Sequence, residues 1–153
     1  MQTHATALFA DRHSAHAAVE QLAQAGFPRD AIDLVMSEDT HEREFGSASP
    51  DRSGVRIARA AGVLGALVAS LVPFARAGEL TLRVGGPLAV ALTRAGTLFA
   101  ALVASGLGQA EALAVDAGIR SGAIVVGVQA DAERAKLAMQ LLELSGGAAL
   151  QAA

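Results

Sequence analysis

Apolar positions recur along the chain with two different periods, and the changes of period divide it into elements. Thr6 to Ala10 reads as a short apolar strand. Asp11 is placed to cap a helix from Arg12 to Ala25, and Gly26 to stop it. Within that helix Ala15, Val19, Leu22 and Ala23 recur at three- and four-residue spacing, giving one apolar face. Ile32 to Met36 alternates and reads as a second strand, which closes a βαβ unit with parallel strands over residues 1–36. Residues 37–54 are polar and acidic and read as a linker.

From residue 55 the pattern becomes almost continuously apolar and stays so to residue 108. Val55 to Val72 has helical length, with Ile57, Leu64, Val68 and Leu71 on one face. Ala58, Gly62, Gly65 and Ala69 form a small-residue stripe on the other, the pattern that lets a second helix approach closely. Pro87 is placed to open a second apolar helix, Leu88 to Ser105, and the two helices are expected to form a hairpin. Glu79 to Val84, between them, alternates and fits either a strand or a stretched connector. Residues 109–147 then read as helix, strand and helix: Gln109 to Arg120, Ala123 to Val128, and Ala132 to Leu144 with Asp131 as its cap. The strand is apolar enough to be buried on both faces. Residues 148–153 are expected to fray. The fold class expected is α/β, a small βαβ…αβα sandwich of ferredoxin-like type interrupted by a Gly/Ala-rich apolar helical hairpin.

Composition sharpens the view of the insert. Of the 153 residues 52% are apolar but only 3% aromatic, so its bulk comes from Ala, Leu, Val and Gly. Net charge is −3, distributed as about −5 over residues 1–54, +4 over 55–110 and −2 beyond, so the apolar insert is the basic part of an acidic chain. Its arginines are Arg56, Arg59, Arg76, Arg83 and Arg94. The acidic balance and the want of an Arg/Lys stripe interleaved with aromatics argue against nucleic-acid binding. No secretory signal pattern opens the chain and no cysteine occurs, which leads to a cytoplasmic expectation and excludes thiol chemistry.

Candidate chemistry is sparse. His13 and His16 lie three apart on the first helix and are weak candidates for a metal, with Asp11 or Glu20 as oxygen ligands, but no closed ligand set follows. His4 and His41 stand isolated. Gly106-Leu107-Gly108 opens a helix without the further residues of a phosphate loop, and no serine lies in a nucleophile elbow. The expectation is a protein that is not an enzyme and holds no cofactor.

The layout is similar to that of the bacterial general stress protein family of the general stress protein 17M type. The resemblance is carried by ADRHSAHAAVEQLAQAGFP and IDLVM between Ala10 and Met36, by GGPLAVAL at Gly85 to Leu92, and by GLGQAEALAVDAGIRSGAIVVGVQAD from Gly106 to Asp131. The stretch ARAGELTLRV, Ala75 to Val84, departs from it. The resemblance implies a stress-linked fold with no established activity and no active-site residues.

Partner expectations follow from the uncovered apolar surface that two such helices would leave on a monomer. The first is homo-oligomer assembly through the stripe Ala58, Gly62, Gly65 and Ala69, with the basic insert facing acidic ends of other copies. The second is a membrane surface, as a peripheral or hairpin-inserted protein. The uncharged run Ala60 to Ala75 spans only about 24 Å as a helix, short of a full hydrocarbon core. A third expectation is a small ligand held by a regulatory α/β module.

Overall fold

The computed structural model describes residues 3–45, 62–75 and 81–151. Among the described residues six strands form one sheet in the order β3-β4-β2-β5-β1-β6, and every neighbouring pair is antiparallel. The strands are β1 (Thr3–Phe9), β2 (Ile32–Ser37), β3 (Val72–Phe74), β4 (Leu82–Gly85), β5 (Ile124–Ala130) and β6 (Ala148–Gln151). The helices are α1 (Arg12–Gln24), α2 (Glu38–Phe45), α3 (Gly62–Ala69), α4 (Pro87–Ala95), α5 (Leu98–Ala104), α6 (Gln109–Arg120) and α7 (Ala132–Leu144).

The α/β class holds, but the parallel βαβ pairing does not. β1 and β2 run in the same direction without touching, because β5 lies between them and is antiparallel to both. Ile124-Val125-Val126-Gly127-Val128 is the most continuously apolar strand, with all five residues buried. Such a strand is most stable where both faces and both edges are covered, which is the centre of the sheet.

Alternation along the strands makes two cores. Ala5, Ala7, Phe9, Ile32, Leu34, Met36, Ile124, Val126 and Val128 face α1, α7 and α3. Val35, Val125, Leu82 and Val84 face α4, α5 and α6. The insert therefore straddles the sheet. α3 sends Leu64, Leu67 and Leu71 into the first core, and α4 and α5 send Leu88, Leu92, Leu98 and Leu102 into the second.

This replaces the expected helical hairpin. Between the two apolar stretches the chain forms β3 and β4 and extends the sheet beyond β2, which settles Leu82–Gly85 as a strand. The second apolar helix is broken as well. Gly96, in the left-handed region at φ 83°, ends α4, and the Thr97 side chain accepts from Ala100 N at 3.2 Å to start α5. The two axes bend by 117°. Among the described residues no single helix is long and apolar enough to cross a membrane.

Two further expectations are corrected. The acidic segment after β2 is not all linker, since Glu38–Phe45 is helical. Ser37 accepts from Thr40 N at 3.1 Å, Glu38 and Asp39 favour the positive helix start, and Phe45 is buried. The tail does not fray at once either: β6 pairs with β1 from Ala148 opposite Leu8 to Gln151 opposite Ala5. Gly147 permits this, because a Cβ there would lie 2.6 Å from the Phe9 ring.

Two carboxylates on the α/β frame receive the starts of insert helices. Glu20 on α1 accepts from Val63 N of α3 at 3.1 Å. Asp33 on β2 accepts from Leu88 N of α4 at 2.7 Å. Each satisfies an N–H that a helix start leaves without an intrahelical partner.

Candidate functional site

On the α4–α6 side of the sheet, the outer surface of these helices carries the main exposed apolar side chains of that layer. Val90 on α4, Phe99 and Val103 on α5 and Leu113 on α6 are each more than a third exposed, Leu113 the most so at 59%. Their neighbours Leu88, Leu92, Leu98, Leu102 and Ala112 point inward, so these helices are apolar on both sides. Phe99 and Val103 are one helical turn apart and share a face.

Between α5 and α6 lies a cleft of about 250 Å³. Leu82, Leu98 and Ile119 are buried beneath it, while Phe99 and Leu113 line it at the surface. Thr97 and the α6 pair Asp116 and Arg120 complete the lining. Arg120 Nε donates to Asp116 Oδ2 at 3.0 Å, so the charges beside the cleft already neutralise each other. The cleft thus has an apolar floor and a mixed rim.

A buried polar chain lies in the same layer. His4 Nε2 is bonded to Asp33 Oδ2, and His4 Nδ1 to Thr6 Oγ1 at 2.8 Å. All three residues are no more than 1% exposed. The imidazole reaches from β1 to β2 across β5 at Gly127, where a Cβ would meet His4 Cε1 at 2.8 Å. Thr6, His4 and Asp33 repeat the connectivity of a nucleophile, base and acid triad. Their burial beneath the helices keeps a substrate from the hydroxyl, so the chain of bonds joins elements and does not present a reactive group.

The sequence signals for this chain were local. His4 and Thr6 alternate onto one face, Asp33 interrupts Ile32 and Leu34, and Gly127 interrupts a valine run. Read singly, His4 is isolated. Only the strand order brings it to Asp33.

The residues singled out from sequence are mostly dispersed. His13 is exposed, and His16 is partly buried with Nδ1 unpartnered among the described residues. The oxygens proposed to join them are engaged elsewhere. Asp11 accepts from Ser14 N at 2.9 Å, a bond that holds its carboxyl below the usual range, and Glu20 accepts from Val63. Among the described residues no group of three or more His, Asp or Glu is arranged to hold a metal.

Of the small-residue stripe, Gly65 is buried within the chain and Ala69 is exposed. Gly62 opens α3, and Ala58 lies outside the described residues, as do Arg56, Arg59 and Arg76. Arg94 is exposed in the last turn of α4. Arg83 finds its acid inside the chain, donating to both oxygens of Glu38 at 2.5 and 2.9 Å. That fork lowers the Glu38 pKa and raises that of Arg83. His41, one turn along α2, is pushed below its ordinary value by burial and by the Arg83 charge.

No protein-family model, curated protein or solved structure matches the chain.

Proposed function

We propose that this chain is a non-enzymatic, stress-associated protein that assembles with copies of itself through the outer apolar face of α5 and α6. The observation that carries the assembly is the cleft flanked by exposed Phe99 and Leu113. One face thus offers both protruding apolar side chains and a recess to receive them, as a twofold, self-complementary contact requires. Asp116 and Arg120 supply both signs of charge on that face, so two copies meet without net repulsion. This reading puts the contact on α5–α6 in preference to the stripe, because Gly65 is buried within its own chain. The stress association rests on the sequence resemblance.

The frame is read as ferredoxin-like. The support is the order β6-β1-β5-β2, with α1 connecting β1 to β2 and α7 connecting β5 to β6, both helices on one face. The insert then occupies the connection from β2 to β5.

Light scattering over a range of protein concentrations tests the assembly. The expected result is a mass at least twice that of one chain for the native sequence and a monomer for Leu113→Asp. A native protein that remains monomeric overturns the reading. Membrane association is the second reading, favoured by the bent pair Pro87–Ala95 and Leu98–Ala104, which together have the length and composition of a broken span. It predicts co-sedimentation with lipid vesicles that survives a high-salt wash. Complete recovery in the supernatant removes it.

A further inference from the structure

We infer that the bent α4–α5 pair is a releasable arm of the insert, latched to the sheet by the Asp33 carboxylate with His4 and Thr6 behind it. This goes beyond the assembly reading and does not depend on it. The Asp33 carboxylate, with the residue 0% exposed, has one oxygen on Leu88 N at the start of α4 and the other on His4. Two glycines are fitted to this contact. Gly86, at φ 91°, lets the chain entering α4 descend onto β2, where a Cβ would meet Asp33 Oδ1 at 2.8 Å and collide with Ile32 O. Gly127 clears the path for the imidazole.

The pair meets the sheet through α4, which packs on β2 and β4, while α5 packs on α4 and α6. The latch therefore sits at the contact that has to open for the pair to leave. Opening here breaks the bond from Leu88 N to Asp33, and water offsets part of that loss. A buried carboxylate has given up its hydration, and it recovers that hydration when α4 lifts. Among the described residues the buried polar side chains of the sheet, His4, Thr6, Asp33 and Ser37, all alternate onto the α4–α6 side. Among the described residues the sheet face beneath α1 and α7 offers only buried hydrocarbon, and the comparable carboxylate on that side, Glu20 on Val63 N, is on α1 and only partly buried. The α4–α5 pair is thus the part placed at the low end of the local-opening scale. Its release turns Leu88, Leu92, Leu98 and Leu102 outward.

Amide hydrogen exchange followed by mass spectrometry tests the latch on the whole chain. In Asp33→Asn, residues 87–104 are expected to exchange about tenfold faster or more, the scale of losing a bond to a charged group, while α1 and α7 stay within about threefold. Thr6→Val, which removes only the outermost bond, should show the same regional pattern with a smaller gain, and it serves if Asp33→Asn does not fold. Measurement at two protein concentrations separates release, which is independent of concentration, from assembly, which is not. Equal acceleration in α1 and α7, or unchanged exchange over 87–104, overturns the proposal.

Discussion

Gly127 shows how one position can be set by a side chain on the neighbouring strand of the sheet that is remote in sequence. Its neighbours Val126 and Val128 fit a buried strand, and Ala would be tolerated by the backbone, yet a methyl group would press on the His4 ring. Gly127→Ala is expected to destabilise the fold by about 1–3 kcal/mol, as overpacking does, measured by urea unfolding. The same substitution in a His4→Ala background should cost much less, because the ring is gone. His41 gives a pH dependence. Its folded pKa is depressed by burial and by Arg83, so it contributes stability above its ordinary value of 6.5 that is lost as pH falls below it. Glu38, held low by Arg83, adds a second loss nearer the carboxylate range. Unfolding free energy should therefore be smaller at pH 5.5 than at pH 7.5, and His41→Gln should narrow that difference; an unchanged difference contradicts the assignment. At this scale capping residues were legible, since Asp11 and Asp131 hold Ser14 N and Arg134 N as their positions imply. The His4–Asp33 bond was not, because its partners are 29 residues apart and meet only across a third strand.

Among elements, the helices with strong local signals stand where the sequence puts them: α1, α6 and α7 begin and end within a residue or so of expectation. The insert differs because its Gly/Ala-rich composition leaves periodicity faint, and three-dimensional packing decides which stretches are helix. Leu82 and Val84 could alternate into a strand only once β2 offered its free edge. The apolar run from Leu88 was broken by Gly96 and Thr97, a stop and a cap in sequence that a continuous hydrophobic pattern hides. Each half of the insert now has a separate anchor, Leu64 in the α1–α7 core and Leu92 in the α4–α6 core. Leu64→Ala and Leu92→Ala should each cost about 2–5 kcal/mol in urea unfolding, typical of a buried leucine cavity. A value near zero for either would mean that its helix does not pack on the sheet.

For the whole molecule, the sheet divides a chain of modest size into two layers, and the insert contributes to both. Among the described residues much of the insert's apolar surface is absorbed in this way; Val72 on β3 and Leu137 and Leu144 on α7 stay exposed singly, and the outer face of α4–α6 keeps several exposed apolar side chains. What remains there, Phe99, Val103 and Leu113 beside one cleft, is still a concentrated patch. Sequence could identify the insert as the unusual feature, but not which side of each helix is spent on the sheet.

The chain contains no cysteine, so a single introduced thiol reports proximity between copies directly. Ala117 is exposed on α6 between Leu113 and Arg120, and Lys136 is exposed on α7 in the opposite layer. Under mild oxidation Ala117→Cys is expected to form a disulfide-linked dimer at protein concentrations where Lys136→Cys stays single. Equal crosslinking of the two, or crosslinking of Lys136→Cys alone, would contradict assembly through the α5–α6 face.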